Sequence, residues 1–378
     1  MADEVLIYAD TERSPELRHE VPVAIGDAFL YAETNGTRHV LTNVLEKNKL
    51  DALGLTTHLG TEYGSDDLVA EGKGWEEIRD EILLRAVRDF GISSAVVPFW
   101  FPTRIADHLR ANGVELTSDS EFFDGRRRRK SEQEIAGIRR AQQAAEAGMR
   151  RAQAMLAAAD VDGETLMLDG EPLTSERIKV AMRQAFDENN SSLDDFIVAG
   201  GAQGALGHDT GSGPLQANSP IIIDIWPRDR DSACFSDMTR TFVVGEPPEE
   251  IAEWHRLTKE ALDRSLEKIK AGASCREVYD AACDVYEAAG HQTQRTKEKG
   301  ASLDEGFFHA LGHGVGLEVH EAPVMGLVAD KDLVAGDVVT VEPGLYRQGF
   351  GGVRLEDLVL VTEEGYENLT EFPYDLSP

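Results

Sequence analysis

The chain has 378 residues, enough for two domains, and 41% of them are hydrophobic, which supplies sizeable cores and speaks against disorder. Its 69 acidic residues outnumber 38 basic ones for a formal net charge of −31, a field that repels a phosphate backbone and excludes nucleic acid as a partner. No apolar run approaches the roughly 20 residues of a membrane span, and MADEVLIYADTERSPELRHE lacks a basic n-region followed by a long apolar stretch, so a membrane or secreted protein is not expected.

Cys234, Cys275 and Cys283 have no CxxC spacing and are odd in number, so they read as reduced thiols of a cytoplasmic protein. Only 11 of the 38 basic residues are Lys. A distributed acidic surface that prefers Arg suggests a halophilic protein, working in salt that screens its self-repulsion. The plainer reading is an acidic cytosolic enzyme.

In chain order, Val5–Ala9, Ala28–Tyr31, Val40–Val44 and Ala95–Val97 read as strands. Glu77–Phe90 reads as a helix with Ile78, Ile82, Leu83, Val87 and Phe90 near helical spacing, ended by Gly91. Residues 1–125 therefore form a small α/β domain. The basic run Arg126 to Lys130 follows; a nucleic-acid patch is the lesser reading of it, and a solvated hinge or a set of partners for carboxylates the preferred one. Ser131 and Glu134 then form a capping box for a helix through Ile135, Ile138, Ala145, Met149 and Met155. From there helices and hairpins intermix, which points to an α+β domain over 126–378.

The chemistry begins at Pro220–Trp226, an apolar strand that carries Asp224, where an unpaired buried carboxylate is costly. A second strand holds Asp237, and a turn centred between Arg230 and Asp231 sets Asp224 opposite Asp237. Val338–Tyr346 and Val353–Val361 repeat the pattern, with Glu342 opposite Glu356 about a loop centred on Gly349. Facing carboxylates repel unless a proton or cation lies between them. Between the hairpins His309, His313 and His320 are threaded with glycines. His309 and His313 have the spacing of a zincin helix, but residue 310 is Ala and the glycines oppose helix. Four carboxylates and an imidazole suffice for two metal ions about 3.5–4 Å apart. An oxygen-rich set without sulfur favours Mn²⁺, with Co²⁺, Fe²⁺ or Zn²⁺ as substitutes.

Asp224, Ser-Asp237-Met-Thr-Arg-Thr-Phe, His309-x-x-x-His313-Gly, His320-Glu321-x-Pro323, Glu342-Pro-Gly-Leu-Tyr346 and Gly352-Val-Arg354-Leu-Glu356-Asp357 occur in that order. The set resembles the M24-type "pita-bread" metallopeptidases, in the branch of Xaa-Pro dipeptidases (prolidases) and Xaa-Pro aminopeptidases. The resemblance covers about 130–378, and residues 1–125 resemble more loosely the creatinase-N-like domain that this branch carries. It implies a pita-bread fold and a homodimer acting on short peptides, preferably Xaa-Pro. It makes Asp224, Asp237, His313, Glu342 and Glu356 the ligands of two metal ions, with Asp237 and Glu356 shared. Glu342 exchanges a proton with the hydroxide between the ions, His320 and His208 act on the scissile carbonyl, His309 lines the substrate pocket, and Arg354 and Tyr346 orient ligands.

The sequence departs from the pattern at Trp226, where many members carry a small residue. It departs also in the longer loop before Asp237, in DTGSGPL at 209–215, and in an extra segment around 161–176. These bear on specificity, so a non-proline exopeptidase or amidase is the first alternative. A metal-free binding module and a creatinase-like C–N hydrolase are expected to lose ligands that this chain keeps.

Overall fold

The computed structural model describes residues 4–378, and the chain divides into two compact units, Met1–Arg127 and Arg128–Pro378. The division falls inside the basic run. In the first unit Arg126 pairs with Glu20 and Glu33, each at 2.8 Å. In the second, Arg128 grips Asp337 with two nitrogens at 2.9 and 2.7 Å, and Lys130 forms a buried ion pair with Glu321. Arg126, Arg128 and Lys130 thus serve as carboxylate partners, one of the roles the sequence left open.

The first unit is a six-stranded sheet in the order β4-β3-β2-β1-β5-β6. Its strands are β1 (Val5–Ala9), β2 (Phe29–Thr34), β3 (Thr37–Thr42), β4 (Thr56–Leu59), β5 (Ser94–Val97) and β6 (Glu115–Ser118). Only β2 runs against its neighbours. Val5 and Ile7 enter one apolar cluster and Leu6 another, so both sheet faces are covered, as in other largely parallel sheets. The expected strand Val40–Val44 ends at Thr42, and Val44 lies exposed in the following loop. The strand stops there because the Asn43 side-chain oxygen accepts from the Leu45 and Glu46 amides (2.8 and 3.3 Å) and turns the chain, while its start is set at Asn35-Gly36. Both residues have positive φ (50° and 76°), and they close a tight hairpin that pairs Thr34 with Thr37. The helix expected at Glu77–Phe90 is Trp75–Asp89, capped by Phe90.

The second unit opens with the helix Glu132–Ala157, whose Ser131–Glu134 capping box is present. Such a cap is worth about 1 kcal/mol. It packs beside Ser175–Glu188, and their apolar faces share one core with Ile221, Ile223, Ile225, Met238 and Phe242. A second helix pair, Glu249–Leu266 and Cys275–Ala288, shares another core with Val339, Val341, Val359 and Val361. The extra segment near 161–176 is a three-stranded meander, Asp160–Asp162, Thr165–Leu168 and Glu171–Pro172. Among the described residues no helix is long and apolar enough to cross a membrane.

Side chains alternate along a strand. With Ile221, Ile223 and Ile225 turned to the helices, Asp224 shares the opposite face with Ile222, which packs against Tyr346. Met238 and Phe242 likewise leave Asp237 and Thr239 for that face. Val339 and Val341 do the same for Thr340 and Glu342. The alternation itself gathers the polar groups of three strands on the sides the helices do not cover.

Candidate metal centre

Ile221–Ile225 pairs with Met238–Phe242 in a register that sets Asp224 opposite Thr239, not Asp237. The bridge between Arg228 and Phe235 keeps that register, so the turn centres between Asp231 and Ser232, one residue later than expected. The cause is Asp229. Its carboxylate accepts from the Ser232 amide (2.8 Å) and hydroxyl (2.6 Å), and the Ala233 amide donates to its carbonyl at 2.9 Å. Asp237 therefore stands just before its strand, on the same face as Asp224 and diagonal to it.

The second pair keeps the expected register, but across a break. Val338–Val341 pairs with Asp357–Val361 and Gly344–Arg347 with Gly351–Arg354, both about the same centre. Glu342 and Glu356 fall opposite each other in the gap, next to Pro343, which has no N–H to donate. Their amides turn elsewhere: Glu342 donates to the Leu311 carbonyl (2.8 Å) and Glu356 to that of Thr239 (3.1 Å). The break thus ties each acid to a segment that carries another member of the site.

His313 lies on the short strand Gly312–Gly314, not on a helix. A Cβ on Gly312 would run into the Thr340 carbonyl, and one on Gly314 into that of Ala322, so only glycine lets the flanking backbones close around the imidazole. The His313 amide donates to Thr340 Oγ1 (3.1 Å), and Nδ1 faces the Gly314 carbonyl (3.1 Å). A carbonyl only accepts, so Nδ1 carries the proton and Nε2 is left for the site. Nε2 lies 3.4 Å from Glu342 Oε1 and 3.8 Å from Asp237 Oδ2. Ligand atoms of Asp237, His313 and Glu356 lie within 4.8 Å of one another.

The electrostatics match this crowding. Burial pushes the Asp237 carboxyl well above its ordinary range, helped by Glu356, Asp224 and Glu342. Glu356 is raised in the same way, by burial and then by Glu342 and Asp224. Burial also opposes charge on Glu342, but in the metal-free site a second proton on His313, held on Nε2 and displaced when an ion binds, outweighs it together with Arg354 and keeps this carboxyl below its usual value. Asp237 Oδ1 is buried and finds no hydrogen-bond partner among the described residues. An orphaned buried oxygen, mutually repelling carboxylates and one imidazole lone pair, with no sulfur, are what a divalent cation requires. The residues present fit such ions.

Around this cage Arg354 is buried. It donates from Nη2 to Asp224 Oδ2 (2.6 Å), from Nη1 to the Tyr346 hydroxyl (2.9 Å) and from Nε to Thr239 Oγ1 (3.3 Å). Tyr346 faces His309 Nε2 at 3.0 Å, and His309 Nδ1 meets the Ala310 carbonyl at 2.7 Å. Both His309 nitrogens are thus engaged, and burial holds its pKa below the ordinary value. Burial, the nearby Arg354 notwithstanding, pushes the Tyr346 hydroxyl up to about 12. The cage opens on a cavity of about 890 Å³ lined also by His208, His320 and Trp226. His320 sets its ring edge-on to His313, with centroids 4.3 Å apart. Partial burial and His313 push its pKa down.

All the residues singled out in the sequence therefore border one cavity. Sequence reasoning missed Thr239, which donates to Glu356 Oε2 at 2.7 Å, and Thr340 beside His313. Strand alternation was the available signal: Thr239 is two residues from Asp237 and Thr340 two from Glu342.

Residues 136–363 match metallopeptidase family M24. The chain is 30% identical over 294 residues to the Xaa-Pro dipeptidase of Pyrococcus horikoshii, covering 78% of this chain and 76% of that protein. It is 35% identical over 187 residues to the Xaa-Pro dipeptidase of Pyrococcus furiosus, covering 48% and 49%, so this match spans about half of each protein. Three solved structures share the architecture. They are the prolidase from Pyrococcus furiosus (TM-score 0.76, 23% identity, 98% of this chain and 97% of that one), the Xaa-Pro dipeptidase from Bacillus anthracis (0.78, 24%, 99% and 94%) and the X-Pro aminopeptidase from Thermotoga maritima (0.76, 22%, 98% and 96%). The α+β unit is thus a pita-bread fold. With the family match running over more than half its length and through every segment of the cage, the chain belongs to metallopeptidase family M24.

Proposed function

We propose that this protein is a cytoplasmic exopeptidase that releases the N-terminal residue of short peptides, preferably ahead of proline. Asp224, Asp237, His313, Glu342 and Glu356 would hold two divalent ions, Mn²⁺ being the first choice for so oxygen-rich a set. The observation that carries the reading is the buried Asp237–His313–Glu356 cluster, with its orphaned oxygen, at the head of a substrate-sized cavity. The relatives' names, Xaa-Pro dipeptidase and prolidase, support the substrate class.

Bound there, the ions would supply an activated water and polarise the scissile carbonyl. The chain's own groups do the rest. Glu342, ionised and beside His313, accepts the water's proton and returns it to the leaving amine. His320 and His208 donate to the carbonyl oxygen from the cavity wall. Arg354 fixes Asp224 and Tyr346, and Tyr346 fixes His309, so these residues position rather than react. The first unit is read as the creatinase-N-like domain of this branch, and the protein as a homodimer.

The test is hydrolysis of Xaa-Pro and Xaa-Ala peptides by purified protein with Mn²⁺, with and without a chelator. Chelator-sensitive release of the first residue, faster ahead of proline, is expected. Bound metal without cleavage of any peptide would refute the reading.

A further inference from the structure

The carboxylates of the cage come from two hairpins. Asp224 and Asp237 stand on the first, Glu342 and Glu356 on the second, and His313 Nε2 lies 3.4 Å from Glu342. A leaving amine that takes its proton from Glu342 must lie over the second hairpin. The residue that is released then lies over the first, beside Asp224 and Asp237.

Trp226 is the large side chain at that place. Ile225 pairs with Met238 and the Arg228–Phe235 bridge keeps the same register, so Trp226 stands directly across from Asp237. Side chains opposed in this way start about 5 Å apart. Trp226 also borders the cavity, so its indole rises next to the oxygen-rich cage.

Its surroundings hold that indole in place. Pro227 follows, and a residue ahead of proline is kept in extended backbone. The Pro227 carbonyl accepts from the Ser236 amide at 3.0 Å, which ties the segment to the strand of Asp237. Ile225 and Pro227 are buried, and Trp226 itself packs against the core that holds Ile223 and Met238. The neighbouring wall is equally firm. Ile197 pairs with Asp224 from the other side, and the Val198 amide donates to the Thr210 carbonyl at 3.0 Å, which fastens the His208 loop to that strand. A long side chain on the released residue would have to push packed atoms aside.

Resting on the peptidase reading above, we infer that Trp226 sets the size of the residue that is released, admitting short side chains such as that of Ala and rejecting long or aromatic ones. The indole acts as a fixed floor beside Asp237 and takes no part in the chemistry.

The experiment measures kcat/KM for Ala-Pro-Ala, Val-Pro-Ala and Phe-Pro-Ala on the full-length, Mn²⁺-loaded protein. For the wild type, Phe-Pro-Ala should fall about tenfold or more below Ala-Pro-Ala, the scale on which a tight apolar pocket discriminates, with Val-Pro-Ala between them. Trp226→Ala should bring the two extremes within about threefold of each other. The ratio is the readout, because damage to the fold lowers all three rates together. Tryptophan emission during Mn²⁺ titration of the metal-free protein gives a second readout that needs no turnover. The wild type should be quenched, and Trp226→Phe should lose that quenching. Equal kcat/KM for the Ala and Phe peptides in the wild type would overturn the inference while leaving the exopeptidase intact, whether or not the variants fold. So would a ratio that survives in Trp226→Ala, or quenching that survives in Trp226→Phe. Cleavage of none of the three by the metal-bound protein would overturn the exopeptidase reading and this inference with it.

Discussion

Thr239 stands opposite Asp224 in one sheet and donates its hydroxyl to Glu356 in the next, at 2.7 Å. One side chain therefore fixes the relation between the two hairpins that carry the carboxylates, and it also receives Arg354 Nε at 3.3 Å. Thr239→Val keeps the shape and removes the hydroxyl. It should weaken metal affinity about 10- to 100-fold, as loss of a group that orients a ligand commonly does. Titration of the metal-free protein with Mn²⁺ checks this; affinity equal to wild type would show that Glu356 needs no such support.

Asp237→Asn removes the carboxylate with the orphaned oxygen. Activity that depends on added metal should disappear. The metal-free protein should melt no lower than wild type, because one of several mutually repelling carboxylates has gone. Calorimetry of both proteins after exhaustive chelation decides it, and a large drop in Tm would mean that Asp237 supports the fold itself.

Asp229 supports the turn that sets the Asp237 register. Burial acts to raise its pKa, but the Arg140 fork at 3.1 and 2.8 Å and the Ser232 bonds outweigh burial and hold it below the ordinary 3.8. A depressed folded-state pKa contributes stability above the unfolded value, and that stability is lost as pH falls through the folded value. Asp229→Asn should therefore cost about 1–3 kcal/mol near pH 7, discounted toward the lower figure because Arg140 is half exposed. The gap from wild type should narrow as pH falls below about 4. Urea unfolding at several pH values measures it; a gap that stays constant would remove the ionic contribution.

A formal charge of −31 and an Arg-weighted set of cations lead to a salt prediction. Melting temperatures across a KCl series should rise steeply as counterions screen the acidic surface. A flat or falling series would refute a halophilic origin for the composition.

How far the site could be read from sequence depended on what closed each turn. The Glu342–Glu356 register was legible because the glycine-rich loop 347–352 folds symmetrically about Gly349 and the ladders on both sides keep that centre. The Asp224–Asp237 register was not, because Asp229 captures Ser232 and moves the turn by one residue. Capping chemistry inside a polar loop leaves no trace in hydrophobic alternation. The Asn35-Gly36 dipeptide is, by contrast, a sequence signal for a tight hairpin, and its positive-φ pair carries β2 on to Thr34 and starts β3 at Thr37. The His309 to His313 stretch was legible as non-helical from its glycines, but its partners were not. Tyr346 reaches His309 from a strand 37 residues away, and only the folded sheet brings them together.

The gap at Glu342 and Glu356 also bears on the order of assembly. Their amides are held by Leu311 and Thr239 respectively, so each acid takes its place only once another segment is already there. The proposed ligands fall into three groups, Asp224 with Asp237 on one hairpin, His313 on a short strand, and Glu342 with Glu356 on another hairpin, so a single hairpin offers two carboxylates and never the whole set. Metal uptake should thus follow folding instead of guiding it. The nascent chain would be indifferent to whichever ion is abundant during synthesis, and the choice of metal would fall to the finished cage.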